Sequence, residues 1–304
     1  MNKNFAVEVA GIQMKNPLMT ASGTFGFGIE YRRFFDPNIL GGIIVKAITL
    51  EPRDGNPGVR IAETPAGMLN AIGLENPGID RFLKMILPNI KDLDTPIIVN
   101  VAGKTEEEYV EVARRLQVEG IAGLELNISC PNVKEGGIAF GSDPETAGRL
   151  VRKVKEVCQV PLIVKLSPNV TDIVQMAKAV EENGADVISM INTLVGMAID
   201  INKRKPVVSN VIAGLSGPAI KPVALRMVWQ VSQNVKVPVI GMGGITRASD
   251  VIEFLLAGAK ATAIGTGWFQ NPWVAEDILR DLAEYMDFHK ISDINELVGA
   301  LKID

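Results

Sequence analysis

The residues of this chain best suited to chemistry gather in one short stretch, Leu124 to Asn132, which reads LELNISCPN. Alternation sets Leu124, Leu126 and Ile128 on one face of a strand and Glu125, Asn127 and Ser129 on the other, dividing a packing side from a polar side. Cys130 follows, and Pro131 after it has no N–H to continue a ladder, so the strand must stop there. A thiol is thereby displayed at a strand end. It is either a small hydrophobe capping a core strand or a thiol facing a bound polar ligand. Asn127, Ser129 and Asn132 favour the second, because buried polar groups need partners. The lone histidine, His289, sits among acidic and apolar residues in a C-terminal helix and suits a solvated or capping role. Acid–base work therefore falls to other groups.

The elements that position this stretch recur along the chain. A small hairpin is expected from Phe5 to Lys15 around Ala10-Gly11, closing one end of a larger structure. Eight short apolar runs rich in β-branched side chains follow: Pro17 to Ala21, Ile43 to Ala47, Ile97 to Val101, Leu124 to Ser129, Leu162 to Leu166, Val187 to Ile191, Val239 to Gly241 and Ala261 to Gly265. Amphipathic helices are predicted over Thr105 to Glu119, Pro144 to Val157, Thr171 to Asn183, Lys221 to Gln233, Ala248 to Ala257 and Pro272 to Met286. Thr105 and Thr171 are the expected N-caps, and Gly120, Gly184 and Gly258 the expected stops. Alternating strands and helices in this number imply an α/β fold, a closed (β/α)8 TIM barrel. Two intervals, Ile48 to Asn76 and Thr193 to Lys221, are overlong and follow strand C-termini, so both are candidates for lids or subunit contacts.

In such a barrel the site lies at the C-terminal rim. The rim positions are Ser22, Lys46, Asn100, Asn127 with Cys130, Lys165, Asn192 with Thr193, Gly243 with Gly244, and Gly265 with Thr266. A lysine inside an apolar run, as in IIVKA and LIVKLS, is costly to bury unless it meets an anion. That anion is either an acid such as Glu125 or a ligand, and two lysines beside Asn100, Asn127 and Asn192 favour a large anionic ligand. GMGGIT and AIGTG place glycines after the seventh and eighth runs, where barrels cradle phosphate with backbone N–H groups. Together these groups suggest flavin mononucleotide, with a cation near its N1 and O2 stabilising the reduced ring.

Composition agrees with one barrel domain spanning 1–304. Of 304 residues, 47% are hydrophobic and 22% charged, enough for a large core. The net charge of -4, without a basic stripe, argues against a nucleic-acid surface. The charge-free window Pro206 to Ile220 is too short and too interrupted to cross a bilayer. No signal peptide is evident, and Cys130 and Cys158 form no CxxC pair, so a cytoplasmic chain without a disulfide framework or a clustered metal site is expected.

NISCPN (127–132), NAIGL (70–74), ASGTFG (21–26), SGPAIKP (216–222) and the GMGGI and IGTG turns closely resemble class 1 dihydroorotate dehydrogenases over nearly the whole chain. In class 1 the base is cysteine, which Cys130 matches, whereas class 2 enzymes use serine and add an N-terminal anchor. ASGTFGFG and NTLVGMAID look like subclass 1B, the catalytic subunit that works with an iron–sulfur flavoprotein and reduces NAD. The resemblance implies oxidation of (S)-dihydroorotate to orotate in pyrimidine biosynthesis. Cys130 would take a proton from carbon 5 while hydride passes from carbon 6 to flavin N5. It implies that Lys46, Asn70, Ala71, Ile72, Gly73, Leu74, Asn127, Asn192 and Thr193 hold substrate. Ser22, Lys46, Ala47, Asn100, Asn127, Lys165, Ile191, Gly217, Gly243, Gly244, Gly265 and Thr266 would hold one FMN per chain. FAD and [2Fe-2S] would sit on the partner only, with a homodimer at the core of a heterotetramer. Alternatives are a fumarate-reducing subclass 1A enzyme, a flavin-free phosphate-binding barrel lyase or isomerase, and a noncatalytic scaffold.

Overall fold

Eight parallel strands pair each with the next until the last meets the first, leaving no open edge. In this computed structural model, which describes residues 3–129 and 140–303, the barrel strands are β1 (Leu18–Thr20), β2 (Gly42–Ile48), β3 (Ile97–Val101), β4 (Gly123–Asn127), β5 (Leu162–Lys165), β6 (Val187–Met190), β7 (Val239–Met242) and β8 (Ala261–Ile264). The eight apolar runs are therefore the barrel. Nearly every residue in them is buried, as a parallel sheet covered on both faces requires.

The hairpin forms from Val7–Val9 and Ile12–Met14, with Ala10 and Gly11 both at positive φ (49° and 85°), the turn that matches strand twist. It plugs the N-terminal end. Ile12 Cδ1 reaches to 3.1 Å of where Gly123 would carry a Cβ, and Met14 Sδ to 3.4 Å at Gly42, both at strand starts.

The six predicted helices form, over Glu106–Arg115, Pro144–Lys155, Ile173–Glu182, Lys221–Ser232, Ala248–Leu256 and Val274–His289. Thr105 caps the first by accepting from Glu108 N. Asp172, not Thr171, caps the third, because its carboxylate accepts from both Val174 N and Gln175 N. Gly184 and Gly258 follow helix ends at positive φ, whereas the helix before Gly120 has already ended at Arg115. The last helix runs on to His289, which is exposed and packs its ring on Tyr285 at 4.2 Å.

Two features depart from a regular repeat. No α-helix follows β1; short turns at Ile29–Tyr31 and Pro37–Ile39 stand there instead. Aromatic stacking fills that side, with Phe25 on Tyr31 at 4.2 Å and Phe35 on Trp268 at 5.6 Å. After β2 the overlong interval is followed by an unpredicted helical stretch, Gly78–Arg81, Phe82–Ile86 and Leu87–Ile90, which is π-helical in its middle part. Pro77, Gly78 and Pro88 conceal it in the sequence.

The two overlong intervals join each other. Leu194–Gly196, Ala213–Ser216, Gly67–Asn70 and Ile61–Thr64 form an antiparallel four-stranded sheet in that order, with a small core of Leu69, Ala71, Val208 and Ala213. Gly67 makes the close approach possible: a Cβ there would stand 2.0 Å from the Ser216 carbonyl oxygen. Met197 and Ile199, beyond the first of these strands, are exposed and belong to no core among the described residues.

Candidate active site

Register puts the polar residues of the barrel on one face. Asn100 pairs with Glu125 across β3 and β4, Asn127 with Lys165 across β4 and β5, and Lys165 with Ser189 across β5 and β6. In-register partners in a parallel sheet share a face, so these side chains point into the barrel while Leu124 and Leu126 pack outward. Glu125 is fully buried and accepts from Asn100 Nδ2 at 2.6 Å and from Ser189 Oγ at 2.7 Å. It does not pair with either rim lysine. Lys165 is 5% exposed, and its Nζ donates to Ser22 Oγ at 3.2 Å across the mouth. Among the described residues neither Lys46 nor Lys165 has an ion-pair partner, so both cations remain available to a ligand. Lys46 does act at a distance: the Arg60 hydrogen bond, and then the Lys46 charge, hold the Glu75 carboxyl below the usual carboxylate range.

The glycine turns close the opposite arc of the rim. Gly243 and Gly244 take φ of 133° and 74°, and a Cβ on Gly244 would lie 2.9 Å from the Gly217 carbonyl oxygen. Gly217, at φ 94°, abuts Gly67 of the capping sheet. Beyond β8, Gly265 has only Ala21 Cβ near its own Cβ direction, at 3.9 Å, and Thr266 leads into the turn Gly267–Gln270. Loops after β1, β6, β7 and β8 thus meet, closely packed at Gly217, Gly243 and Gly244 and open at Gly265.

One residue that pins this arc escaped the sequence reading. Asp250 is 2% exposed and accepts from Thr246 N at 2.8 Å, Arg247 N at 3.2 Å, Thr246 Oγ1 at 3.1 Å and Lys221 Nζ at 2.7 Å. Burial raises its carboxyl, but Lys221 and Thr246 outweigh burial and hold it below the usual range. The signal was present as an acid in the first turn after GGIT.

Facing this arc are the residues expected to hold substrate. Asn127 accepts from Ser129 N through Oδ1 at 3.2 Å, and its carbonyl accepts from the Tyr109 hydroxyl at 2.8 Å. Asn192 Oδ1 accepts from Thr193 N at 2.8 Å, and Thr193 lies under the capping strand, where a Cβ on Gly214 would strike its hydroxyl. Asn70 donates to the Gly214 carbonyl at 3.3 Å. The loop Ala71 to Leu74 is held from below by Asn56, whose N donates to Ile72 O and whose Nδ2 donates to Ala71 O, both at 2.9 Å. Gly73 and Leu74 both take positive φ, 80° and 56°. Ala47 is buried on β2, and Ile191 N donates to Met242 O at 3.0 Å. Cys130, Pro131 and Asn132 lie outside the described residues; the strand end that carries them, Asn127 to Ser129, stands at this mouth.

The residues fit a flavin mononucleotide. Among the described residues Asn100 Oδ1 is a buried acceptor with no partner, Lys46 and Lys165 have no ion-pair partner, and the backbone at Gly265 stands open. A closed parallel barrel with its polar groups at this rim is the architecture of (β/α)8 barrel enzymes, whose active sites lie over the C-terminal strand ends. A family model described as dihydroorotate dehydrogenase matches residues 4–286. The "Dihydroorotate dehydrogenase B (NAD(+)), catalytic subunit" of Thermoanaerobacter pseudethanolicus is 54% identical over 301 residues, 99% of this chain and 100% of that protein. The proteins of the same name from Citrifermentans bemidjiense (56%; 99% of both chains) and Geobacillus kaustophilus (57%; 98% of this chain, 96% of that one) are similar to the same degree. The chain belongs to the dihydroorotate dehydrogenase family, whose B-type enzymes are flavin-dependent.

Proposed function

We infer that this chain oxidises (S)-dihydroorotate to orotate in pyrimidine biosynthesis, as the catalytic subunit of an NAD-dependent dihydroorotate dehydrogenase. What carries the reading is the convergence on one barrel rim of the glycine turns and two lysines that have no ion-pair partner among the described residues, in a chain matched along its length by catalytic subunits of that name. The whole chain, 1–304, acts as one flavin-binding barrel domain.

In this reading Cys130 removes the proton from carbon 5, and the electron pair leaves carbon 6 as hydride. FMN, when bound, supplies the hydride acceptor. Ser22, Lys46, Ala47, Asn100, Asn127, Lys165 and Ile191 hold its ring side, and Gly217, Gly243, Gly244, Gly265 and Thr266 its phosphate side. Lys46, Asn127, Asn192, Thr193 and the 70–74 loop orient the substrate's carboxylate and ring amides. Asn127 serves both ligands because an amide offers a donor and an acceptor. A free thiol has a pKa of about 8.5, so either a nearby group lowers that of the base or the enzyme works best at alkaline pH. The partner is an iron–sulfur flavoprotein subunit carrying FAD and [2Fe-2S], bound to a homodimer of this chain. The assembly works in the cytoplasm; among the described residues no helix is long and apolar enough to cross a membrane.

The purified chain is expected to be yellow and to bleach on addition of dihydroorotate. A colourless preparation that FMN cannot reconstitute would remove the reading.

A further inference from the structure

Asn100, Glu125 and Ser189 form a fully buried trio from three strands of the barrel. The Glu125 carboxylate takes Asn100 Nδ2 on one oxygen and Ser189 Oγ on the other, at 2.6 and 2.7 Å. A carboxylate accepts and does not donate. Turning the Asn100 amide over would therefore set two acceptor oxygens against each other and aim the amide nitrogen the other way. With Glu125 in place, the oxygen must face away from it, and that oxygen is Asn100 Oδ1, a buried acceptor without a partner among the described residues. Burying a carboxylate is costly, and an apolar side chain would fill the same space more cheaply.

We propose that Glu125 is a positioning residue that fixes the Asn100 amide with its oxygen toward the ligand, making that oxygen an obligate acceptor for a ring N–H of the flavin. The inference rests on the flavin reading above. The oxidised isoalloxazine has one N–H, at N3, and its remaining edge atoms N1, O2, O4 and N5 only accept. An acceptor in the barrel therefore selects the N3 edge, whereas a flipped amide would select an oxygen.

The test is binding of FMN and of 3-methyl-FMN, which lacks that N–H, to apoprotein by flavin fluorescence quenching. Wild-type protein should prefer FMN by about tenfold or more, the usual consequence of leaving a buried acceptor unpaired. Glu125→Met frees the amide to present either end, and the preference should fall to about threefold or less. The paired variant Asn100→Asp/Glu125→Gln keeps net charge, and the new glutamine amide donates to the new carboxylate, so an acceptor-only oxygen again faces the ligand and the preference should return. A role in packing alone would leave the preference unchanged in Glu125→Met. That result, a wild-type protein indifferent to the methyl group, or a folded paired variant without the preference overturns the proposal. If Glu125→Met fails to fold, Glu125→Gln, which can donate as well as accept and so also frees the amide, takes its place, with the same loss of preference expected and an unchanged preference overturning the proposal. Wild-type protein that binds neither flavin strikes the cofactor reading itself, not the role of Glu125.

Discussion

Lys165 Nζ stands 3.2 Å from Ser22 Oγ, although the two residues come from opposite sides of the barrel: Lys165 ends β5 and Ser22 follows β1, four strands away around the ring. The contact spans the mouth and carries a positive charge into a nearly closed space. Lys165→Ala should lower flavin affinity or the rate of flavin reduction by about ten- to hundredfold, since hydrogen bonds from charged groups contribute about 1.5–3 kcal/mol. Bound flavin after dialysis and the rate of bleaching by dihydroorotate measure the two. If neither changes, Lys165 lies outside the site.

Cys130→Ala should retain flavin and lose reduction by dihydroorotate by more than about a hundredfold, the usual yield of general-base catalysis being about 10² to 10⁴. Stopped-flow reduction at near-normal speed would place the base elsewhere.

The other cysteine is a built-in control. Burial pushes the Cys158 thiol up to about 11, and nearby Lys155 only partly offsets this. It is therefore a neutral thiol at about pH 8, and alkylation depends on thiolate. Iodoacetamide at that pH should modify Cys130 and abolish flavin reduction, in wild-type and Cys158→Ser protein alike. Mass-spectrometric labelling of Cys158 at a comparable rate would contradict this.

Asp250 ties the turn after β7 to Lys221, so Asp250→Ala should weaken binding of FMN by about tenfold and of riboflavin, which lacks the phosphate, much less. Its carboxyl is held below the ordinary value, so its contribution is present above the unfolded carboxylate pKa and lost as pH falls through the lower folded value. Flavin release through this anchor is thus expected only below about pH 4. Fluorescence of released flavin follows it, and release in wild-type protein already near pH 6 would assign the anchor to another group.

Gly244→Ala adds a methyl group at φ 74°, 2.8 Å from Lys221 Cβ and 2.9 Å from the Gly217 carbonyl oxygen. The turn must shift, so flavin affinity should drop by about tenfold or more while the barrel still folds. A circular dichroism melt alongside a flavin titration separates the two effects.

Alone, the chain should reduce NAD slowly, because it carries no GxGxxG dinucleotide turn and no cysteine cluster for iron–sulfur. Rapid NAD reduction by the isolated chain would contradict the two-subunit arrangement.

The sequence by itself determined the barrel and the types of residue at its mouth. Strands buried on both faces read as continuous apolar runs, so Lys46, Asn100, Asn127 and Lys165 stand out against them, and the glycines after β7 and β8 mark turns that side chains would block. Tertiary structure alone decided partners. Leu194–Gly196 and Gly67–Asn70 lie in irregular intervals and include glycine, with no apolar run to mark them, and they pair over the mouth with segments distant in the chain. Likewise Glu125 could have neutralised a lysine; parallel register set it beside Asn100 and within reach of Ser189 instead, and left Lys165 facing Ser22. Local preference chooses the element, but which side chains meet inside a closed barrel depends on the stagger of all eight strands, and no window of sequence contains that.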